Sequence, residues 1–235
     1  MKVRGTKVKG MIWRRLAGLR AWILMAGGVA VFGVALRGLE SAQFEMDFTD
    51  ARQTPAHWVL KLNPDGSGTF DTNGGNDPRG IEQKIVAGDV HRPIQLSAAL
   101  TGRIFATARA RKYFAFPCES NLKVAFQGTK RFSYTGPEGS GSCEFNFSKD
   151  KEIEELQNSL LAVQTTILCG ARLEKLLQHD RLGLDEELGN LAMWAKDGSA
   201  QEMGAIRETL TRIASDEEVL DRARRKARWL LTQAQ

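Results

Sequence analysis

Apolar side chains recur at two different periods along this chain, and the change between them falls near residue 148. Before it, apolar groups occupy alternate positions and Gly, Pro and Asn mark the breaks; after it the repeat is 3.6 and proline is absent. Trp58, Leu60 and Leu62 share one strand face, Asn63-Pro64-Asp65-Gly66 turns the chain, and residues 69–72 return as the second arm of a hairpin. Residues 81–87 add a third strand. Ser97 then caps a helix whose stripe is Leu100, Ile104, Phe105 and Ala108, ending before Pro117. Leu122-Val124-Phe126, Phe132-Tyr134 and Cys143-Phe145-Phe147 read as three more strands, joined at Gly128-Thr129 and across residues 136–141. The order βββαβββ predicts an antiparallel sheet with one helix packed across one face.

The second half reads as helical throughout. Ile153, Leu156, Leu160, Val163 and Ile167 form one stripe, which can continue past Gly170 through Leu173, Leu176 and Leu177. Leu184, Leu188, Leu191 and Ala195 form another, closed by Asp197-Gly198. Ser199-Ala200-Gln201-Glu202 and Ser215-Asp216-Glu217-Glu218 both match the capping box, which predicts two further helix starts. Their stripes are Met203, Ile206, Leu210 and Ile213, then Val219, Ala223, Ala227 and Leu230. The expected class is α+β: an antiparallel sheet with one packed helix (residues 41–148), followed by an all-helical C-terminal bundle (residues 149–235).

Residues 1–40 carry a different pattern. Residues 21–36, AWILMAGGVAVFGVAL, hold no charge, and Lys2, Arg4, Lys7, Lys9, Arg14, Arg15 and Arg20 precede them. A basic flank before an apolar run is an export signal. Sixteen residues are long for a signal core and short for a span of about 20, so a cleaved signal and a retained membrane anchor both remain open. Gly33-Val34-Ala35 offers small residues for a cut, and Arg14-Arg15 raises a twin-arginine signal that lacks the usual apolar pair after it. In either case the basic flank stays inside and the rest is delivered outside, to the periplasm or the outer face of the inner membrane.

The formal charge of +5 points at first to an anionic partner. Residues 1–37 alone supply +8, however, so residues 38–235 carry +5 less +8, or −3. That removes the main support for a nucleic-acid partner. The three cysteines suit an oxidising compartment. Three pairings are open, beside the alternative of three buried thiols, and Cys118 with Cys143 is favoured because both lie at ends of elements in the same sheet. Closing that loop would contribute roughly 3 kcal/mol. Cys169 falls on a helical stripe, where a thiol is a small hydrophobe.

No set of residues announces a reaction. His57, His91 and His179 have no partner at a metal-ligand spacing, and there is no CxxC, HExxH or GxSxG. In residues 71–82, Asp71, Asn73, Asp77 and Glu82 fall at oxygen-donor positions of a calcium loop, but Gly75, Asn76 and Arg79 break the pattern, leaving a polar turn. Ser120 to Lys123 and Ser148 to Lys151 match SxxK without its companion motifs. Gly136-Pro137-Glu138-Gly139-Ser140-Gly141 is a hairpin loop rather than a phosphate cradle. Arg222, Arg224, Arg225, Lys226 and Arg228 with Trp229 could face an anionic surface, although cations near a helix C-terminus are also the ordinary dipole preference. No catalytic, cofactor or metal residue is assigned.

The stretches from Cys118 through Val124-Ala125-Phe126-Gln127-Gly128-Thr129-Lys130, Ser133 to Cys143, Phe145 to Asp150, Gly170 to Glu174 and Leu182 to Asp185 resemble a group of exported acidobacterial proteins with no assigned activity. The resemblance covers most of the region after residue 40 and implies no catalytic residues. The expected function is that of a non-catalytic cell-envelope protein that binds another protein or a cell-wall component. A small-ligand-binding protein and a hydrolase with a site scattered in sequence are the alternatives.

Overall fold

A computed structural model of the chain describes residues 41–74 and 87–234. Six antiparallel strands, β1 (Gln43–Thr49), β2 (His57–Leu62), β3 (Ser67–Asn73), β4 (His91–Gln95), β5 (Thr129–Gly136) and β6 (Gly139–Phe145), form one sheet in the order β4-β3-β2-β1-β5-β6. Strict alternation explains the layer they build. Phe44, Met46 and Phe48 of β1 stand beside Leu62, Leu60 and Trp58 of β2 and beside Tyr134, Phe132 and Lys130 of β5, all on one buried face. The opposite face is polar, with cross-strand pairs such as Lys61 to Glu45 at 3.4 Å and Arg131 to Glu144 at 2.8 Å.

Five helices follow the same logic with the other period: α1 (Ala98–Ala110), α2 (Lys151–His179), α3 (Leu184–Asp197), α4 (Arg207–Ser215) and α5 (Asp221–Thr232). Ser97 is the cap of α1, its hydroxyl accepting from Leu100 N at 3.2 Å, and Leu100, Ile104, Phe105 and Ala108 are all buried. The stripe expected to continue past Gly170 does so in a single 29-residue helix, α2, capped by the Asp150 carboxylate. That helix, about 43 Å long, changes what covers the sheet. Its first half, with Ile153, Leu156, Leu160, Val163 and Ile167, packs beside α1 on the sheet, while Leu173, Leu176 and Leu177 belong to a second cluster with α3, α4 and α5. The described residues fall into one compact unit.

The structure adds one strand to those expected and corrects the expectations at residues 122–126 and at the two capping boxes. β1 was not anticipated, although Phe44, Met46 and Phe48 alternate cleanly. The strand expected at 81–87 lies outside the described residues except for Ala87, which is not in a strand, and β4 runs at His91–Gln95 on the sheet edge, where Pro93 is tolerated. Residues 122–126 form no strand: β5 already lies between β1 and β6, and the outer side of β6 is crossed by the chain between Tyr113 and Ser120. Neither capping box starts a helix: residues 203–206 are a short tight turn before α4, Ser215 ends α4, and the Asp216 carboxylate accepts from Glu218 N within a turn before α5. Glu202 instead reaches Ser97, whose N–H and hydroxyl donate to its two oxygens at 2.7 Å each. It supplies, from 105 residues away, the carboxylate that a local capping box would place one turn into α1.

Between α1 and the disulfide, Lys112, Tyr113 and Phe114 have φ of 52°, 56° and 66°. The left-handed region costs an L residue about 1 kcal/mol, and here side-chain burial offsets it. Tyr113 stacks on Tyr134 at 5.0 Å, and Phe114 meets Phe44 and Phe132 at 5.8 and 5.4 Å. The turn lies against edge strand β6, and a Cβ on Gly141 would stand 2.7 Å from Tyr113 O. Gly139 and Gly141 of the β5–β6 hairpin therefore answer to this crossing, which also shields the edge.

Candidate functional site

Cys118 and Cys143 are joined by a disulfide, with their Cα atoms 5.9 Å apart. Cys169 is buried and unpaired with sulfur. Burial pushes its thiol up to about 12, Arg172 offsetting only part of that, and Arg172 Nη2 donates to its sulfur at 2.9 Å. Such a thiol is unreactive near neutral pH. The histidines stay apart. His57 pairs with Asp47 and His91 with Asp71, each at 3.0 Å across strands on the polar sheet face, and His179 is the last residue of α2. Asp71 and Asn73 lie in β3, while Asp77 and Glu82 lie outside the described residues. Among the described residues no three His, Cys, Asp or Glu side chains are placed to share a metal ion. Ser120 and Ser148 take part in local turns, accepting from Leu122 N and Asp150 N.

Two surfaces stand out, and the first starts at the disulfide. In residues 119–127, which do not join the sheet, Leu122, Val124 and Phe126 are 50 %, 37 % and 49 % exposed. Exposure of three large apolar groups on one short segment is costly to hydrate. The segment is nevertheless held firmly. Asn146 accepts from Gln127 N at 2.6 Å through its side-chain oxygen and donates to Ala125 O at 3.2 Å, while its own N–H donates to the Glu119 carboxylate at 2.5 Å. On the other flank Arg52 donates to Phe126 O at 2.8 Å, lies 5.0 Å over the Phe126 ring and is held by a two-point pair to Asp50. That pair, with the Arg52 N–H, draws the Asp50 carboxyl down to about 2.

Beneath this platform lies Lys130, with no exposed surface and its ammonium donating to Asn146 O at 2.5 Å. Burial lowers its pKa from 10.5 to about 8, Glu119 and Asp50 opposing part of the drop. A buried cation of this kind makes stability depend on pH. Up to about pH 8 both folded and unfolded chains hold the proton; above it the folded chain releases it while the unfolded chain keeps it to about 10.5. Stability therefore rises between those values, by about 3 kcal/mol at most. Urea unfolding at pH 7.5 and 10 checks this, and Lys130→Met should lack the rise that the native chain shows; an equal slope in both would refute the assignment.

The second surface is a groove of about 770 Å³ between α3 and α5. From α3 come Gly189, Ala192, Met193 and Lys196, spaced i, i+3, i+4 and i+7; from α5 come Arg222, Arg225, Lys226 and Trp229 at the same spacing. Each helix thus turns one complete side into the groove. The floor is apolar, with Ala192, Trp229 and the 55 % exposed Met193. The walls are cationic. Asp185 holds Arg222 at 3.0 Å and Lys226 at 2.8 Å, Asp221 holds Arg225, and the Lys196 ammonium lies 5.2 Å over the Trp229 ring.

The α5 side of this groove coincides with the cationic cluster legible in the sequence; the α3 side and the exposed loop were missed. Met193 lies off the apolar stripe of α3, and that displacement was the available signal. Leu122, Val124 and Phe126 carry the pattern of a buried strand and gave none. No known protein family matches the chain, and no curated protein does.

Proposed function

We propose that this chain is a non-catalytic exported protein of the cell envelope, whose role is to bind another envelope protein or a cell-wall component. The observation that carries this reading is the platform at residues 119–127. A disulfide, an asparagine clamp and an arginine hold three apolar side chains in solvent at fixed positions, so a partner covering them gains their burial without having to order the loop. The disulfide also suits an oxidising compartment. Export rests on residues 1–40, which lie outside the described residues; among the described residues no helix is long and apolar enough to cross a membrane.

Two measurements test the proposal. A reporter fused after Leu36 should be active only outside the cytoplasm, and a cytoplasmic signal there would refute export. In producing cells, a photo-crosslinking residue in place of Leu122 should yield one dominant adduct, identified by mass spectrometry, whereas the same residue at Asp65, on the β2–β3 turn, should yield none. Equal yields at both positions, or no adduct at Leu122, would overturn the platform as a binding surface.

A further inference from the structure

The groove between α3 and α5 has the shape and charge of a seat for a third helix, and we propose that it docks an acidic amphipathic helix of a partner protein. The inference rests on reading the chain as an interaction module, but not on the platform, which belongs to another part of the fold. Three features specify the occupant. Each wall is a single helical side spanning i to i+7, about 11 Å. Two adjacent helices leave between their ridges a furrow suited to a third helix, whose own apolar stripe interdigitates.

The second feature is the pair of small residues on α3. Ala192 keeps the furrow open, while Gly189 makes room for the Lys226 ammonium, from which a Cβ there would stand 3.2 Å. Large side chains there would fill the furrow. On the same side Met193 projects, an adaptable side chain of the kind used at helix-binding surfaces.

Charge supplies the third feature and selects the partner's sign. Four cations line the groove with one carboxylate, Asp197, while Asp185 and Asp221 beside it pair with Arg222, Lys226 and Arg225 and leave Lys196 without an acid among the described residues. The Arg225 and Asp221 side chains are 65 % and 54 % exposed, and a pair so exposed contributes little, so that guanidinium can turn to a docked carboxylate; Arg222, 64 % exposed, shares the 18 % exposed Asp185 with Lys226 and can leave it to that partner. Lys196 is engaged with the Trp229 ring rather than with an acid. A helix with a leucine stripe over Met193 and Trp229 and glutamates on both flanks satisfies the floor and the walls together.

The test uses the full-length chain in mild detergent and a synthetic helical peptide of about 18 residues with leucines at i, i+3, i+4 and i+7 and flanking glutamates. A second peptide carries lysine at every glutamate position, and monomeric dihexanoyl phosphatidylglycerol serves as an anionic lipid. Fluorescence anisotropy should show saturable binding of the acidic peptide that weakens with added salt, and none of the lysine peptide. Met193→Glu and Lys196→Glu, both at exposed positions, should each weaken binding about tenfold or more with circular dichroism and Tm unchanged. A Leu122→Ser, Val124→Ser, Phe126→Ser variant should bind the peptide normally, so that failure of the groove and failure of the platform are told apart. Absence of binding, equal binding of both peptides, insensitivity to the groove variants, or displacement of the peptide by the lipid would each overturn the proposal.

Discussion

Reducing the bond between Cys118 and Cys143 should lower the stability of the fold by about 3 kcal/mol, the loop-closure contribution for a sequence separation of 25 residues. Both half-cystines are buried against the sheet, so reduced thiols would still pack, and the loss falls mainly on the freed segment. That segment contains residues 119–127, and its clamp depends on Asn146, three residues beyond Cys143. Reduction should therefore also expose the platform to proteolysis before the helices unfold. Urea unfolding with and without a reductant measures the first effect and limited proteolysis the second. A Cys118→Ser, Cys143→Ser chain should show the lowered stability and no response to reductant; free thiols at both positions in the native chain would contradict the assignment.

The largest single-residue effect is expected at Trp58, where Trp58→Ala should cost about 4 kcal/mol. Trp58 has no exposed surface, stacks on Phe48 at 5.4 Å and meets Phe70 at 5.7 Å, so it joins β1, β2 and β3 across the middle of the core. A cavity there cannot be filled by an outward-facing neighbour, because alternate residues of each strand point to the other face. Its indole nitrogen meets no acceptor among the described residues, so Trp58→Phe sacrifices area and no hydrogen bond and should cost well under half as much. A fall in the urea midpoint at constant slope checks both values. If the two variants were equally stable, the packing role assigned to the ring would be wrong.

Much of this architecture was legible because the rules that produce it are local. The stripe Leu100, Ile104, Phe105 and Ala108 needs only the 3.6 repeat to define a buried face, and Ser97 needs only its own first turn to cap it. Gly198, at φ 85°, ends α3 where Asp197-Gly198 indicated. The favoured cysteine pairing is the one that forms, although Cys118 lies in no strand and Cys143 falls within β6 rather than at its start.

Other features depend on what the rest of the chain brings near. Leu122, Val124 and Phe126 have the alternation of a core strand, yet pairing requires a vacant neighbour, and β5 lies between β1 and β6 while the chain between Tyr113 and Ser120 covers the outer side of β6. Alternation states which side chains share a face, not whether anything covers it. Glu202 shows the same division: a carboxylate three residues after Ser199 satisfies the capping pattern, but it accepts from whichever N–H the fold delivers, and that is Ser97. The α3–α5 groove is of this kind too. Arg222 to Trp229 form a cationic helical side in the sequence; only the packing of α5 beside α3 sets Met193 and Lys196 opposite them. The sequence by itself determined the helical stripes and the buried faces of β2, β5 and β6, and it favoured the disulfide that forms. The tertiary structure alone decided which exposed faces meet, because contacts between distant residues follow from the combined packing of all the elements and not from any one repeat.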